Sequence, residues 1–93
     1  MLFLLNKTQP DTCELIRLLG GEEEKEALLI EDAIFYGTEF MLPTLREAGV
    51  EHVYAAADSV QQRSVALSPE CEVVDYDRIV DLIMEDHEKI VCI

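Results

Sequence analysis

Short, mostly apolar runs of four or five residues recur along the chain and are separated by longer, more polar stretches. Runs of this length are typical of β-strands that are buried on both faces of a sheet. They lie at residues 2–5, 27–30, 52–56, 71–74 and 89–93. We therefore predict five strands at these positions.

The segments between these runs carry helix signals. Residues 77–85 give the clearest one, because apolar side chains recur there at helical spacing on one face. The sequence D-x-x-E at 11–14 has the form of a capping box, which makes Asp11 the predicted N-cap of a helix that runs to Leu19. Shorter helical segments are predicted at 33–36, 43–48 and 60–63.

Strands that alternate with helical segments are typical of an α/β fold with a parallel sheet. Every connection between successive strands is long enough for a right-handed crossover, and helices are then expected on both faces of the sheet. A chain of 93 residues has the length of one domain. We therefore predict a single α/β domain, residues 1–93, around a five-stranded parallel sheet.

The charge of the chain restricts its partners. It has 20 acidic residues against 7 basic ones, which gives a formal net charge of −13. We expect no direct nucleic-acid binding by this chain and no binding to an anionic membrane surface, since both need clustered Lys and Arg. A domain this small buries only about 60–65% of its unfolded surface, so self-association or a partner subunit is expected.

The chain lacks the sequence signatures of several other classes. No apolar run approaches the roughly 18 residues of a membrane span, and the opening run is too short for a signal peptide. The three cysteines form no CxxC, and neither His52 nor His87 has a second ligand at useful spacing. No glycine-rich phosphate loop follows the first strand. We therefore expect a cytoplasmic protein without a metal or cofactor.

Acidic residues follow several of the predicted strands. In open parallel sheets, binding sites gather at the carboxyl ends of the strands. Glu31 and Asp32 follow the second strand, and Asp58 follows the third. These three carboxylates are therefore candidate binding residues, and a ligand-binding regulator that uses them is one candidate function.

Cys13 is the strongest candidate for chemistry. As the second residue of the predicted helix, it lies where free backbone N–H groups and the helix dipole favour a thiolate. Arg17, one turn further on, acts in the same direction. Asp11 and Glu14 act against a thiolate, which leaves the direction of the net pKa shift open.

The helical position of Cys13 predicts an accessible thiol. The apolar side chains of the same helix centre on one predicted core face, which consists of Leu15, Ile16, Leu18 and Leu19. Cys13 lies about 140° from the centre of that face. The alternative is a small, inert packing residue, which is what most cysteines are. Cys71 and Cys92 fall in predicted strands and are expected to be packing residues.

Four segments of the chain match, in order, the motifs of a known family. Residues 4–8, LLNKT, are similar to a strand with an N-K-S-type turn, and residues 28–33, LLIEDA, to LL-x-E/Q-D-G. Residues 58–64 keep the two charged positions of D-x-x-A-R-G. Residues 73–82, VVDYDRIVDL, are close to V-x-D-Y-x-x-F-V-D-L, the most specific match. The chain therefore resembles the DsrH/TusB group of the DsrE–DsrF–DsrH-like sulfur-relay proteins.

The resemblance implies a three-layer α/β/α domain of the DsrEFH-like kind and a hetero-oligomer with DsrE-like and DsrF-like subunits. Such complexes carry sulfur as cysteine persulfide, either for 2-thiouridine formation at the tRNA wobble position or for sulfur oxidation. The charged positions Asp58 and Arg63 match the family motif, and Arg63 joins the candidate binding residues together with Arg17.

The resemblance leaves two roles for the chain. DsrH members have a cysteine in the first helix, and Cys13 is by that likeness the candidate sulfur acceptor. TusB members generally lack it, and the alternative is a non-catalytic subunit that supports the active cysteine of a DsrE-like partner. The sequence departs from the family pattern beside Arg63, where Gln62 and Ser64 replace Ala and Gly. Cys92 lies where relatives carry a near-terminal aromatic residue.

Overall fold

The strands and helices follow the predicted order. The computed structural model describes residues 1–84 and 89–93. The strands are β1 (Leu2–Leu5), β2 (Lys25–Leu29), β3 (Val50–Ala56), β4 (Cys71–Val74) and β5 (Ile90–Cys92). The helices are α1 (Thr12–Gly20), a 3₁₀ helix (Glu31–Gly37), α2 (Leu42–Glu47), α3 (Ala57–Arg63) and α4 (Tyr76–Met84). The predicted helix end at Glu85 and the side chain of His87 lie outside the described residues.

The five strands form one parallel sheet in the order β4-β3-β2-β1-β5. Leu4 of β1 lies in register with Leu28 of β2 on one side and with Cys92 of β5 on the other. Each of the first three strands therefore pairs with its successor, and the last connection crosses the sheet from β4 to place β5 beside β1. The predicted five-stranded parallel sheet is confirmed.

The two faces of the sheet bury separate apolar cores. On one face, Phe3 and Leu29 pack in a cluster with Ile16 of α1 and Leu45 of α2, and α3 contributes Val60 at its edge. On the other face, Leu82 of α4 packs in a cluster with the strand residues Leu2, Leu28, Tyr54 and Val74. Successive right-handed crossovers in one direction put their helices on one face, and the return crossover puts α4 on the other. The domain is therefore an α/β/α arrangement of three layers.

Helix α1 buries a different face from the one that its leucines predict. Its buried residues are spaced four apart and are Thr12, Ile16 and Gly20. Leu18 and Leu19 are instead 71% and 52% exposed. Gly20 permits this contact, because a Cβ at that position would clash with the side chain of Lys25. The predicted burial of Leu18 and Leu19 is therefore wrong, whereas the predicted burial of Ile16 is confirmed, since close approach at Thr12 and Gly20 favours small side chains over the most hydrophobic ones.

Asp11 stands at the N-cap of α1, but its side chain does not cap the helix. Its backbone carbonyl accepts the Leu15 N–H at 3.0 Å, and within the described residues its carboxylate makes no capping hydrogen bond. Its φ of −97° and ψ of 2° differ from the extended backbone that capping aspartates usually adopt. The predicted capping box is therefore wrong, although the predicted helix start is right.

Lys25 is a buried lysine that joins the end of α1 to the start of β2. Its side chain is only 7% exposed, and Nζ donates to the Gly21 carbonyl at 2.7 Å and to the Glu23 carbonyl at 3.3 Å. Carbonyls near a helix C-terminus have no partner within the helix, and a cation there also interacts favourably with the helix dipole. Lys25 is therefore a structural residue.

Replacing Lys25 with Met is expected to lower the free energy of unfolding by about 1–3 kcal/mol, because two charge-assisted hydrogen bonds are lost. Urea denaturation followed by circular dichroism measures the change. Lys7→Met makes the same charge change at an exposed position and should stay within about 0.5 kcal/mol of the original protein. Equal stabilities of the two variants would contradict the structural role of Lys25.

Candidate functional site

The loops that leave the strands diverge at one point along the carboxyl edge of the sheet. The loop after β3 leads to α3 on one face, whereas the loop after β4 leads to α4 on the opposite face. Open parallel sheets bind ligands in the crevice that such a divergence creates. A small cavity of about 120 Å³ lies there, and its lining residues are Ala56, Ala57, Asp58, Val74, Asp75, Tyr76 and Ile79.

Two carboxylates line this crevice, and they differ in what they bind. Asp75 Oδ1 accepts the backbone N–H of Arg78 at 2.9 Å, so Asp75 caps the start of α4. Asp58, in the first turn of α3, is exposed. Asp75 is exposed as well, so the two carboxylates differ in the capping hydrogen bond of Asp75 and not in their exposure. The sequence predicted Asp58 as a candidate binding residue after the third strand, but it did not show that the loop after β4 would lead to the other face and open the crevice.

The structure brings together three other candidate residues at the ends of β2 and α3. Arg63 Nε lies 2.9 Å from Asp32 Oδ1, which ties the last residue of α3 to the 3₁₀ helix. Glu31 has a φ of 51°, a left-handed conformation that favours glycine, and its backbone N–H donates to Ser59 Oγ at 2.9 Å. These contacts join neighbouring strand ends and hold the edge of the crevice in place.

Replacing Ser59 with Ala is expected to lower the free energy of unfolding by about 1–2 kcal/mol, because the Glu31 N–H loses its acceptor. Ser59 is buried, whereas Ser64 is exposed at the end of the same helix, which makes Ser64→Ala the matched control. Thermal unfolding compares the two variants. A larger loss in Ser64→Ala would show that the Ser59 hydroxyl does not anchor the turn at Glu31.

Cys13 occupies the predicted second position of α1, but its thiol is half-buried at the edge of the core. The Sγ–H donates to the Thr44 carbonyl of α2, with 3.6 Å between Sγ and O. Burial raises the pKa of the Cys13 thiol above its ordinary value, while Arg17 acts to lower it and Glu47 to raise it further. The pKa, left open by the sequence, is therefore raised, and Cys13 favours its protonated form.

The other two cysteines differ sharply in exposure. Cys71 is buried, as predicted, and burial raises the pKa of its thiol to about 11, with a further contribution from Glu72. Cys92 is exposed, so its predicted role as a packing residue is wrong. It lies in β5, an edge strand of three residues that pairs only with β1 in the described sheet, and an edge strand buries less of its surface.

The described contacts divide the candidate residues into two groups. Cys13 and Arg17 belong to α1, and the charges that affect the Cys13 thiol come from Arg17 and Glu47. Asp32 and Arg63 instead contact each other across the 3₁₀ helix and α3. The sequence-predicted residues therefore do not form one combined site around the thiol.

A polar cluster on the α4 face of the sheet was not predicted from the sequence. Tyr54 OH donates to Glu26 Oε1 at 3.2 Å, and the His52 and Tyr54 rings stack with centroids 4.4 Å apart. His52 Nε2 lies 3.3 Å from Glu72 Oε1, and the Arg78 guanidinium lies 6.0 Å from the Tyr54 ring centroid. Burial, and secondly Glu26, raise the pKa of Tyr54 to about 12. The cluster depends on the register between neighbouring strands, which places Glu26 beside His52 and Tyr54 beside Glu72.

Comparison with known proteins does not assign the chain to a family. Neither the protein-family models nor the curated proteins that were searched match it. Across residues 1–84 and 89–93, no group of three His, Cys, Asp or Glu side chains is placed to hold a metal ion. In the same residues, no helix has the length and apolar character needed to cross a membrane.

Proposed function

We propose that this chain is a DsrH/TusB-like subunit of a cytoplasmic sulfur-relay complex. In this role it binds DsrE-like and DsrF-like subunits and supports the active cysteine of a partner. The complex would serve 2-thiouridine formation at the tRNA wobble position or sulfur oxidation. The four motif matches and the parallel α/β/α fold support the family, and the state of the Cys13 thiol supports the non-catalytic role.

The Cys13 thiol is the observation that carries the choice of role. A sulfur relay needs a thiolate that attacks the outer sulfur of a donor persulfide. Cys13 is half-buried, has a raised pKa and donates its proton towards the Thr44 carbonyl. Each of these features favours the thiol over the thiolate. They therefore favour a subunit that supports a partner's cysteine over one that accepts sulfur itself.

Exposed apolar side chains support a binding role. The four most exposed ones lie on α1, on α4 and in the segment before α2, and they are Leu18, Phe40, Tyr76 and Met84. Small domains bury a limited core, and contiguous exposed apolar surface commonly marks protein–protein contacts. A chain with such side chains on several sides is suited to more than one neighbouring subunit.

Sulfur acceptance by Cys13 is the second candidate function, favoured by its position at the start of α1 and by Arg17. The Cys13 thiolate would attack the outer sulfur of the donor's persulfide and form a new S–S bond. The donor's S–S bond would break, and its inner sulfur would leave as a thiolate. Cys13 would then carry the persulfide and pass it on.

Co-purification with DsrE-like and DsrF-like subunits tests the proposed function. We expect a stable hetero-oligomer on size-exclusion chromatography, and Cys13→Ser should enter it as well as the original chain. Sulfur transfer through the complex should also survive this change, which removes the nucleophile but keeps the size of the side chain. Failure of all such subunits to bind would refute the proposal, and loss of transfer in Cys13→Ser would favour the second candidate.

A further inference from the structure

The outward side of α4 carries an apolar strip. Tyr76, Val80 and Met84 are spaced four residues apart, which places them in a line along the helix. They are 76%, 37% and 74% exposed, although the same helix buries Leu82 completely. The strip is therefore separate from the face that α4 packs on the sheet.

Exposed carboxylates border this strip. Asp77 and Asp81 each follow a strip residue by one position, so they form a parallel line on the adjacent side of the helix. Both residues are exposed, and no ion pair to either is found in residues 1–84 and 89–93. The surface therefore combines a line of apolar contact with a line of negative charge.

A second copy of this chain does not fit the surface. In a symmetric dimer the same patch faces itself, so one interface would hold the Asp77 and Asp81 carboxylates of both copies. Each copy has a formal net charge of −13, which adds to the repulsion. A partner with apolar side chains beside a line of Lys or Arg complements both lines at once.

We infer that the α4 strip, Tyr76, Val80 and Met84 with Asp77 and Asp81 beside it, is a docking surface for a basic protein partner. The partner's apolar side chains cover the strip, and its Lys or Arg side chains pair with the two carboxylates. The inference rests on the proposed function for the partner, a DsrE-like or DsrF-like subunit. It adds which face of this chain binds and which charge the partner's contact surface carries.

Replacing Tyr76 and Met84 together with Asp tests the apolar part of the surface. Both side chains are mostly exposed, so the fold should be kept, and thermal unfolding checks this. Affinity for the DsrE-like and DsrF-like subunits, measured by calorimetry, should fall about tenfold or more. Thr8→Asp with Gln61→Asp makes the same charge change at two exposed positions that belong neither to the strip nor to the other exposed apolar side chains. An equal or larger loss in this control overturns the inference.

Replacing Asp77 and Asp81 together with Asn tests the charge. Affinity for the same subunits should fall about threefold or more at low ionic strength, and the difference should shrink as salt screens the charges. Glu22→Gln with Glu24→Gln makes the same charge change on the exposed connector before β2 and should have a smaller effect. Equal effects would show that only net charge matters, which also overturns the inference.

Failure of the inference can be distinguished from failure of the proposed function. Subunit binding that is insensitive to the strip variants overturns the inference alone. If neither subunit binds, the proposed function fails. The surface is then tested with two helical peptides in place of the subunits, one made of Leu and Lys and the other of Leu and Glu. Binding of the Leu/Lys peptide alone, lost in Tyr76→Asp with Met84→Asp, supports the surface. No binding of that peptide, or dimerisation of the chain through the strip, overturns it.

Discussion

Alkylation of the native protein at limiting reagent and neutral pH is expected to label Cys92 first, Cys13 next and Cys71 last. Cys92 is exposed, Cys13 is half-buried, and Cys71 is buried. Cys71 should react more than about 100-fold more slowly than Cys92, since burial raises the pKa of Cys71 to about 11 and also blocks access. Peptide mapping by mass spectrometry gives the three rates.

The pH dependence of this labelling follows from the sign of the pKa shifts. A raised thiol pKa leaves less thiolate at any pH below it, so the rate at Cys71 should keep rising with pH towards about 11. Cys13 also has a raised pKa, and its rate should therefore still be rising above neutral pH. Labelling in urea, where the fold is lost, is the control and should make the three rates similar. Preferential labelling of native Cys71 would contradict the fold.

Replacing Leu82 with Ala is expected to lower the free energy of unfolding by about 2–4 kcal/mol, because it leaves a cavity between α4 and the sheet. Leu82 is fully buried in the cluster that contains Leu28 and Tyr54. Among the described residues, α4 is the helix that covers this face of the sheet. The loss is large for a small domain, whose total stability is commonly about 5–15 kcal/mol.

Met84→Ala on the same helix is the matched control for Leu82→Ala. Met84 is mostly exposed, and Leu and Met have similar helix propensities, so the two substitutions differ mainly in burial. Urea denaturation should show a change of less than about 1 kcal/mol in Met84→Ala. Similar losses in the two variants would show that α4 does not pack on the sheet through Leu82.

The strands could be predicted from the sequence, whereas their order could not. An apolar run such as Leu2–Leu5 marks a doubly buried strand wherever it lies in the sheet, so five similar runs give five strands. Nothing in these runs states which of them is an edge strand. The exposure of Cys92 was missed for this reason, because β5 lies at an edge beside β1.

The candidate site could be predicted only where local sequence decides the geometry. The position of Cys13 at the start of α1 depends on one helix start, and it was right. Its environment depends on the face that α1 buries, where Gly20 and its contact with Lys25 outweigh the exposed Leu18 and Leu19. The raised pKa of Cys13 follows from this packing and from Glu47 of α2, which no local pattern connects to the thiol.

Native mass spectrometry of this chain mixed with persulfide-loaded DsrE-like and DsrF-like subunits tests the central claim most directly. It reports in one spectrum whether the chain joins the complex and which subunit carries the extra sulfur, which adds about 32 Da. We expect a hetero-oligomer in which this chain keeps its original mass and the persulfide stays on the partner subunits. A chain that remains alone, or one that gains the mass of a sulfur atom at Cys13, would contradict the supporting role.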